Sequence, residues 1–124
     1  MSHISRIEIE IRDLSVLKEA CNRLGIEFNP EQKSFRWYGG AKECEGSIRV
    51  PEANYEIGLV KEGNRYSLLW DSFATGGLEA RLGKGAGKLK QAYAVARVHL
   101  EAKLRGYRLR ESKTQNGVHL VLTV

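Results

Sequence analysis

The first 25 residues constrain the fold most, because two different hydrophobic periods follow one another without a gap. In SRIEIEIR, three isoleucines alternate with charged residues, which predicts a strand over residues 3–12 with one solvated face. Asp13 is a favourable helix N-cap. An apolar stripe at spacings of three, four and three residues then predicts a helix over residues 14–24 that ends at Gly25. The chain therefore opens with a strand followed by a helix.

Strand patterns dominate the middle of the chain and its last segment. IEF, SFRWYGG and SIRV predict short strands, with a turn at NPEQK, and NYEIGLVKEGNRYSLLWD predicts a hairpin that turns at KEGNR. Gly58 inside this hairpin predicts either a β-bulge or a close approach by another group. YRLRE and VHLVLTV predict a closing hairpin, with Asn116 and Gly117 as positive-φ turn residues.

A long helix lies between these two hairpins. SFATGGLEARLGKGAGK is rich in glycine and predicts a loop in which LEARL forms one helical turn. From Leu89 onward, apolar residues recur at helical spacing until Gly106. Residues 1–124 are too few for two independent cores, so we expect a single domain. The order predicts an α+β domain: a mostly antiparallel sheet of five to seven strands with two helices packed on one face.

Positive charge is concentrated in one third of the chain. The formal net charge is +5, but residues 81–113 alone contain ten basic and only two acidic residues. This asymmetry favours an anionic partner for that segment. The alternative is a solvated helix face on a basic protein.

The basic segment includes a glycine–lysine loop, RLGKGAGKLKQ, that opens onto the long helix. It is not a P-loop, because three residues rather than four separate Gly83 from Gly87, and Leu89 replaces the hydroxyl residue that binds Mg²⁺. Glycines still let backbone N–H groups face a ligand, and a helix N-terminus attracts anions; a flexible, solvated loop is the alternative. The predicted anion-binding or nucleic-acid-binding residues are Arg81, Lys84, Gly85, Gly87, Lys88, Lys90, Gln91 and Arg97.

Aromatic residues offer a second kind of contact. Trp37, Tyr38 and Trp70 lie in predicted strands, where they could stack on bases beside the basic segment. Burial in the core is the alternative. Because Trp37 and Tyr38 are adjacent, they should face opposite sides, one buried and one partly exposed.

Signals for catalysis and cofactors are weak. The three histidines are dispersed without metal-ligand spacing, and no serine or cysteine nucleophile has a visible base. Glu43 and Glu45 should raise the pKa of Cys44 between them. We therefore expect no catalytic residue, no metal and no cofactor.

With no bilayer-length apolar run and no signal-peptide pattern, we expect no membrane contact and a cytoplasmic location or its equivalent, the plastid stroma or a phage-infected cell.

Motifs spread over nearly the whole chain form a further pattern: MSHIS…IRDL at the start, then YEIG, Y.L..D, LKQAYAVARV and GYRLRES…NGVHLVL. In these motifs the chain resembles the family of hypothetical chloroplast reading frame 35, a domain of unknown function in plastid, cyanobacterial and phage genomes. The resemblance implies a small α+β domain without a specified activity. The segment SFATGGLEARLGKGAGKLKQ departs from the family by being more basic and richer in glycine. The resemblance singles out these positions for a family-wide role: His3, Arg12, Asp13, Tyr55, Gly58, Tyr66, Asp71, Gln91 and Tyr93.

Together these features predict a non-enzymatic binding domain that engages the phosphates of a nucleic acid or a nucleotide through the glycine–lysine loop and the helix N-terminus. The alternative is a protein-interaction or regulatory module, of phage or plastid type, that docks on a larger protein. A third hypothesis is a protein that sequesters a small molecule between the protomers of a homo-oligomer.

Overall fold

The structure, a computed structural model, describes residues 3–124 and confirms the α+β class. The strands are β1 (Ile4–Ile11), β2 (Glu27–Asn29), β3 (Ser34–Trp37), β4 (Gly40–Glu43), β5 (Gly46–Arg49), β6 (Glu56–Glu62), β7 (Arg65–Asp71), β8 (Arg108–Thr114) and β9 (Gly117–Thr123). The helices are α1 (Leu14–Leu24), α2 (Leu78–Leu82) and α3 (Gly87–Arg105). Two 3₁₀ turns, Ala74–Gly76 and Lys84–Ala86, flank α2.

Five strands form the main sheet, in the order β1-β7-β6-β5-β2, and every neighbouring pair is antiparallel. The predicted hairpin of β6 and β7 lies at its centre, with Gly63 at φ 65° in the tight turn. The register between β1 and β7 shifts between Ile7 and Ile11, which interrupts the regular pairing of this edge strand. The sheet therefore has two edges, β1 and the three-residue β2.

The ends of both long helices follow from the residues predicted to form them. The Asp13 carboxylate accepts a hydrogen bond from the Ser15 N–H at 2.9 Å, which caps α1. Gly25 and Gly106 end α1 and α3 in the left-handed region, at φ 71° in each case. These cap residues fix where each helix begins or ends.

One face of the main sheet packs against both long helices. The isoleucines of β1 and the alternating residues of β6 and β7 meet the buried stripes of α1 and α3 in a single core cluster. Trp70 belongs to this cluster and is only 3% exposed. Its indole ring is therefore enclosed in the core, which corrects the expectation that Trp70 contacts a ligand.

The other face of the sheet is partly covered by the separate β3–β4 hairpin, of which β4 has no counterpart in the predicted elements. Phe35 of β3 is buried against Gly58 of β6, where an added Cβ would lie 2.2 Å from the Phe35 ring. Gly58 pairs in regular register with Ser47 and Leu69, so the strand contains no bulge at this point. Of the two alternatives for Gly58, the close approach is the one observed.

The closing hairpin of β8 and β9 does not join the main sheet. It forms a two-stranded sheet of its own, and it contacts α3 with one face. Gln115 and Asn116 make its turn; Gly117 is extended at φ 159° and pairs with Thr114. The turn therefore lies one position earlier than predicted, and the expectation of a positive φ at Asn116 was wrong, because neither Gln115 nor Asn116 has a positive φ.

The glycine-rich segment before α3 is more ordered than a loop. LEARL forms the helical turn that was predicted, as α2, and Leu78 and Leu82 anchor it in the core. Ala86, at the junction with α3, is buried with φ 60°, in the left-handed region that non-glycine residues seldom occupy.

Two glycine-to-alanine variants test the packing of the sheet. Gly58→Ala should lower the free energy of unfolding by about 1–3 kcal/mol, because Phe35 must shift to admit the methyl group. Gly87→Ala is the matched control, since Gly87 has helical φ and ψ and nothing within 4 Å of an added Cβ. That variant should be neutral or gain up to about 1 kcal/mol. Urea denaturation measures both; equal losses would contradict the close approach at Gly58.

Candidate phosphate-binding groove

The backbone of the glycine–lysine loop bonds to its own chain. Gly85 donates its N–H to the Glu79 carboxylate at 3.2 Å, and Ala86 donates to the Gly83 carbonyl at 3.0 Å. Gly87 donates to the Lys84 carbonyl. Three successive N–H groups of the predicted cradle are therefore occupied, so Gly85 and Gly87 shape the loop and leave those donors unavailable to an anion. This corrects their expected role as binding residues.

The predicted cations fall into separate groups. Arg97 lines a shallow groove that also contains Arg12 and the carboxylates of Glu10, Asp13 and Glu101, so its surroundings have mixed charge. Lys90 folds back over the loop, with Nζ 3.6 Å from the position of a Cβ on Gly85. Lys84 is exposed on the loop itself. None of these three cations lines a groove that contains Lys88.

Lys88 lines a groove of about 690 Å³ that we name the basic groove. Its walls are the end of α1, the first half of α3 and the turn of the β8–β9 hairpin. Its charged residues are the cations Arg23, Lys88 and Lys113 and the single carboxylate Glu111. Gln91, Thr114 and Asn116 add polar groups, and Leu24, Ala92, Val95 and Val118 add apolar surface.

A second groove of about 440 Å³ continues the basic groove past Lys88. The two share Arg23 and Lys88, and the second adds Arg81, which pairs with Glu52 at 2.8 Å. The structure thus brings together Arg81, Lys88 and Gln91 of the predicted set. Sequence reasoning missed Arg23 and Lys113; only Lys113 left a signal, as one of the basic residues of the C-terminal third.

Glu111 joins the three walls of the basic groove. Its carboxylate on β8 lies 2.8 Å from Nε2 of His99 on α3 and also pairs with the Arg23 guanidinium on α1. The hydrogen bond to His99 is the main cause that lowers the Glu111 pKa; burial opposes it, and Arg23 adds to it. The one acidic charge of the groove is thereby held against Arg23.

The lysines of the groove have no such neutralising contact. Within residues 3–124, no carboxylate forms an ion pair with Lys88 or Lys113. Since Arg23 and Glu111 offset each other, these two lysines give the groove its surplus positive charge.

A separate aromatic surface lies where β3 and β7 end. The rings of His3, Tyr38 and Phe73 meet with centroids 5.0 Å, 5.2 Å and 6.0 Å apart. Tyr38 is 62% exposed, whereas Trp37 is half-buried with its ring over Gly39, so the two adjacent residues differ as predicted.

The aromatic surface is fixed in place by a buried carboxylate. Asp71 is fully buried and accepts hydrogen bonds from the backbone N–H groups of Tyr38 and Phe73, each at 3.0 Å. A buried carboxylate must be compensated by hydrogen bonds, and both of its partners belong to loops that carry the exposed rings. Asp71 therefore positions this surface.

The chain also contains two free cysteines, Cys21 and Cys44. Burial raises the pKa of the Cys21 thiol to about 12, and burial is also the main cause that raises the pKa of Cys44, ahead of any neighbouring charge. Glu43 and Glu45 are therefore not its leading cause. Among residues 3–124, no group of histidine, cysteine and acidic side chains could hold a metal ion.

The fold and the groove define a class of protein: a small α+β domain with two helices on one face of an antiparallel sheet and a basic groove beside a separate hairpin. The chain belongs to the family described as "Protein of unknown function (DUF1257)", whose model matches residues 20–122. The resemblance to the chloroplast reading frame 35 proteins is confirmed.

Two curated relatives are both named "Uncharacterized protein ycf35". The protein of Guillardia theta is 31% identical over 71 residues, which cover 57% of this chain and 56% of that protein. The protein of Cyanophora paradoxa is 28% identical over 71 residues, with the same coverage of 57% and 56%. The chain thus spans about half the length of the curated relatives it matches. No solved structure matches it. Within residues 3–124, no helix is both long and apolar enough to cross a membrane.

Glu111 should make the stability of the fold depend on pH. Its folded-state pKa is lowered, so its contribution is complete above the unfolded value of about 4.3 and is lost as the pH falls through the folded value. Glu111→Gln should cost about 1 kcal/mol of unfolding free energy at pH 7, and its difference from the native chain should shrink between about pH 5 and pH 3. Urea denaturation across this range measures the difference.

The control for this prediction is Glu101→Gln, because Glu101 pairs with Arg105 on the solvated face of α3. Its cost should stay below about 0.5 kcal/mol. A loss from Glu111→Gln that stays constant down to pH 3 would contradict the role assigned to its carboxylate.

Proposed function

We propose that this domain is a non-enzymatic binding module that engages a phosphate-bearing partner, a nucleic acid or a nucleotide, through the basic groove. The observation that carries the proposal is the convergence of Lys88 and Lys113 from distant parts of the chain on one groove, without a carboxylate paired to either within residues 3–124. Lysine ammonium groups bind phosphate oxygens as mobile point charges.

The other residues of the groove suit the same class of partner. The amide side chains of Gln91 and Asn116 can donate to phosphate or sugar oxygens. The apolar residues between the charged walls offer contact to a sugar or a base, which a purely electrostatic surface would lack. The second groove, which shares Arg23 and Lys88 and adds Arg81 in its pair with Glu52, gives room for more than a single phosphate.

The first turn of α3 supports the proposal independently. It contains Lys88 and Lys90 and no acidic residue, and its N-cap, Ala86, has no side-chain oxygen to accept a backbone N–H. Helix N-termini favour negative charge, so cations there are unfavourable until an anion binds.

The plastid stroma or the cytoplasm remains the predicted location, in keeping with the name ycf35 that both relatives carry.

Charge reversal in the groove tests this function. The measurement is fluorescence anisotropy with a labelled single-stranded oligonucleotide over a series of salt concentrations. Lys88→Glu and Lys113→Glu should each weaken binding by about tenfold or more and lower the slope of log affinity against log salt by roughly one. Lys61→Glu, an equal charge change at the exposed end of β6, is the matched control and should leave binding unchanged.

The second arm of this experiment identifies the source of the phosphate. Calorimetric titration with ATP and with inorganic phosphate tests whether a mononucleotide suffices; saturation by ATP with the same dependence on Lys88 would assign a nucleotide. Equal weakening by Lys61→Glu, or affinity that does not change with salt, would overturn the use of this groove.

The aromatic surface favours a second candidate function, that of a protein-interaction module. Exposed Tyr38 and Phe73 are rigidly presented by Asp71 and lie apart from the residues that line the basic groove. Aromatic residues of this kind are frequent anchors of protein–protein interfaces.

Removal of the two rings tests the second candidate. Tyr38→Ser combined with Phe73→Ser should abolish retention of a single protein partner at about 0.5 M salt, where groove electrostatics are screened. The measurement is affinity capture followed by mass spectrometry, with Leu104→Ser as the control for loss of an exposed apolar residue elsewhere. Retention of the same partner by the double variant would exclude this surface.

A further inference from the structure

The outer edge of β9 is unprotected. β9 spans Gly117–Thr123 and, among the described strands, pairs with β8 alone. In an antiparallel pair, alternate residues direct their backbone N–H and C=O groups away from the partner strand. Those groups on the far side of β9 face no strand within residues 3–124, and such an edge is a template for another strand.

The other edges of the structure carry features that oppose strand pairing. β1 is charged and its pairing is interrupted by a register shift, and β2 is only three residues long. β3 and β4 have four residues each and include charged side chains, and β8 carries Arg108, Arg110 and Lys113. β9 has seven residues, no proline and no lysine, arginine, aspartate or glutamate. Leu122 is 48% exposed even though it belongs to the apolar part of this strand.

The sequence of β9 and the following residue is close to a palindrome. VHLVLTV reads outward from Val121 as leucine on both sides, then histidine and threonine, then valine on both sides. A twofold axis passing by Val121 would place Leu120 opposite Leu122 of a second copy and Val118 opposite Val124. Every pair except His119 opposite Thr123 would then join identical residues, and each contact would occur twice, as in an isologous interface.

We propose that two copies of this chain associate through antiparallel pairing of their β9 strands about a twofold axis at Val121. A second copy is the occupant that the near-palindrome selects, because a strand of the same sequence places leucine opposite leucine and valine opposite valine in this register. Pairing unites two hairpins into a four-stranded sheet, β8-β9-β9-β8. An isolated two-stranded sheet is marginal, so each hairpin gains stability from the other. The proposal does not depend on what the basic groove binds.

A cysteine at the axis tests the register. Directly opposite residues of an antiparallel pair have Cα atoms roughly 4.5–5.5 Å apart, within the range of a disulfide. Val121→Cys should therefore form a covalent dimer under mild oxidation, seen on a non-reducing gel. Ser112→Cys, on the same face of the hairpin but on β8, is the matched control and should remain monomeric. The native chain run beside them supplies the background of Cys21 and Cys44.

A charge at the axis tests the association itself. Sedimentation velocity of the native chain up to about 100 μM should show a monomer–dimer equilibrium, as many weak interfaces do. Val121→Lys places two ammonium groups opposite each other and should shift the species to monomer, with circular dichroism unchanged because Val121 lies outside the core cluster. A dimer that persists in Val121→Lys, a native chain that stays monomeric, or cross-linking of Ser112→Cys equal to that of Val121→Cys would overturn the proposal.

Discussion

The antiparallel packing of α1 against α3 is the contact on which the rest of the structure depends. α1 lies near the start of the chain and α3 near its end, and their buried stripes meet over the same face of the sheet. The antiparallel direction of α1 and α3 follows from the grooves at the two ends of their contact. Arg23, at the end of α1, lines a groove with Lys88, at the start of α3. Asp13, at the start of α1, lines another with Arg97.

The grooves at the two ends of the α1–α3 contact differ in charge, because different neighbouring elements contribute charged residues to them. At the Arg97 end, β1 contributes Glu10, so acidic and basic groups alternate. At the Lys88 end, the β8–β9 hairpin contributes Lys113 together with Glu111, and Arg23 offsets the carboxylate. One packing interaction therefore produces a mixed groove and a basic groove. The β8–β9 hairpin, which packs on α3, therefore accounts for the difference in charge between the two grooves.

The local patterns of the sequence predicted local structure well. Asp13, Gly25 and Gly106 mark helix ends because each acts on the backbone within a few residues. Period-two alternation placed the central hairpin because one face of each strand is buried against the helices. For Trp70 the same alternation could not tell which face the helices cover, and tertiary packing decided it.

The candidate site was less predictable because it depends on contacts between distant segments. Glycines in the loop indicate that its backbone can adopt many conformations. They do not indicate that the Gly85 N–H donates a hydrogen bond to the Glu79 carboxylate, as the structure shows. Arg23 lies in the last turn of α1. A cation at the end of any helix interacts favourably with the helix dipole, so the position of Arg23 gave no sign that it lines a groove. Placing Lys88 beside Lys113 required knowing that the closing hairpin packs on α3 and leaves the main sheet.

The two proposals together constrain the size of the partner. Gly117 lines the basic groove and lies four residues from Val121, where the proposed twofold axis passes. Antiparallel pairing would then separate the two grooves by eight residues along the strands, or about 26 Å at roughly 3.3 Å per residue. A mononucleotide cannot contact both grooves at that distance, whereas a polymeric polyanion can, and the second contact would be intramolecular and therefore strengthened. A dimer of this geometry favours nucleic acid over a free nucleotide as the phosphate-bearing partner.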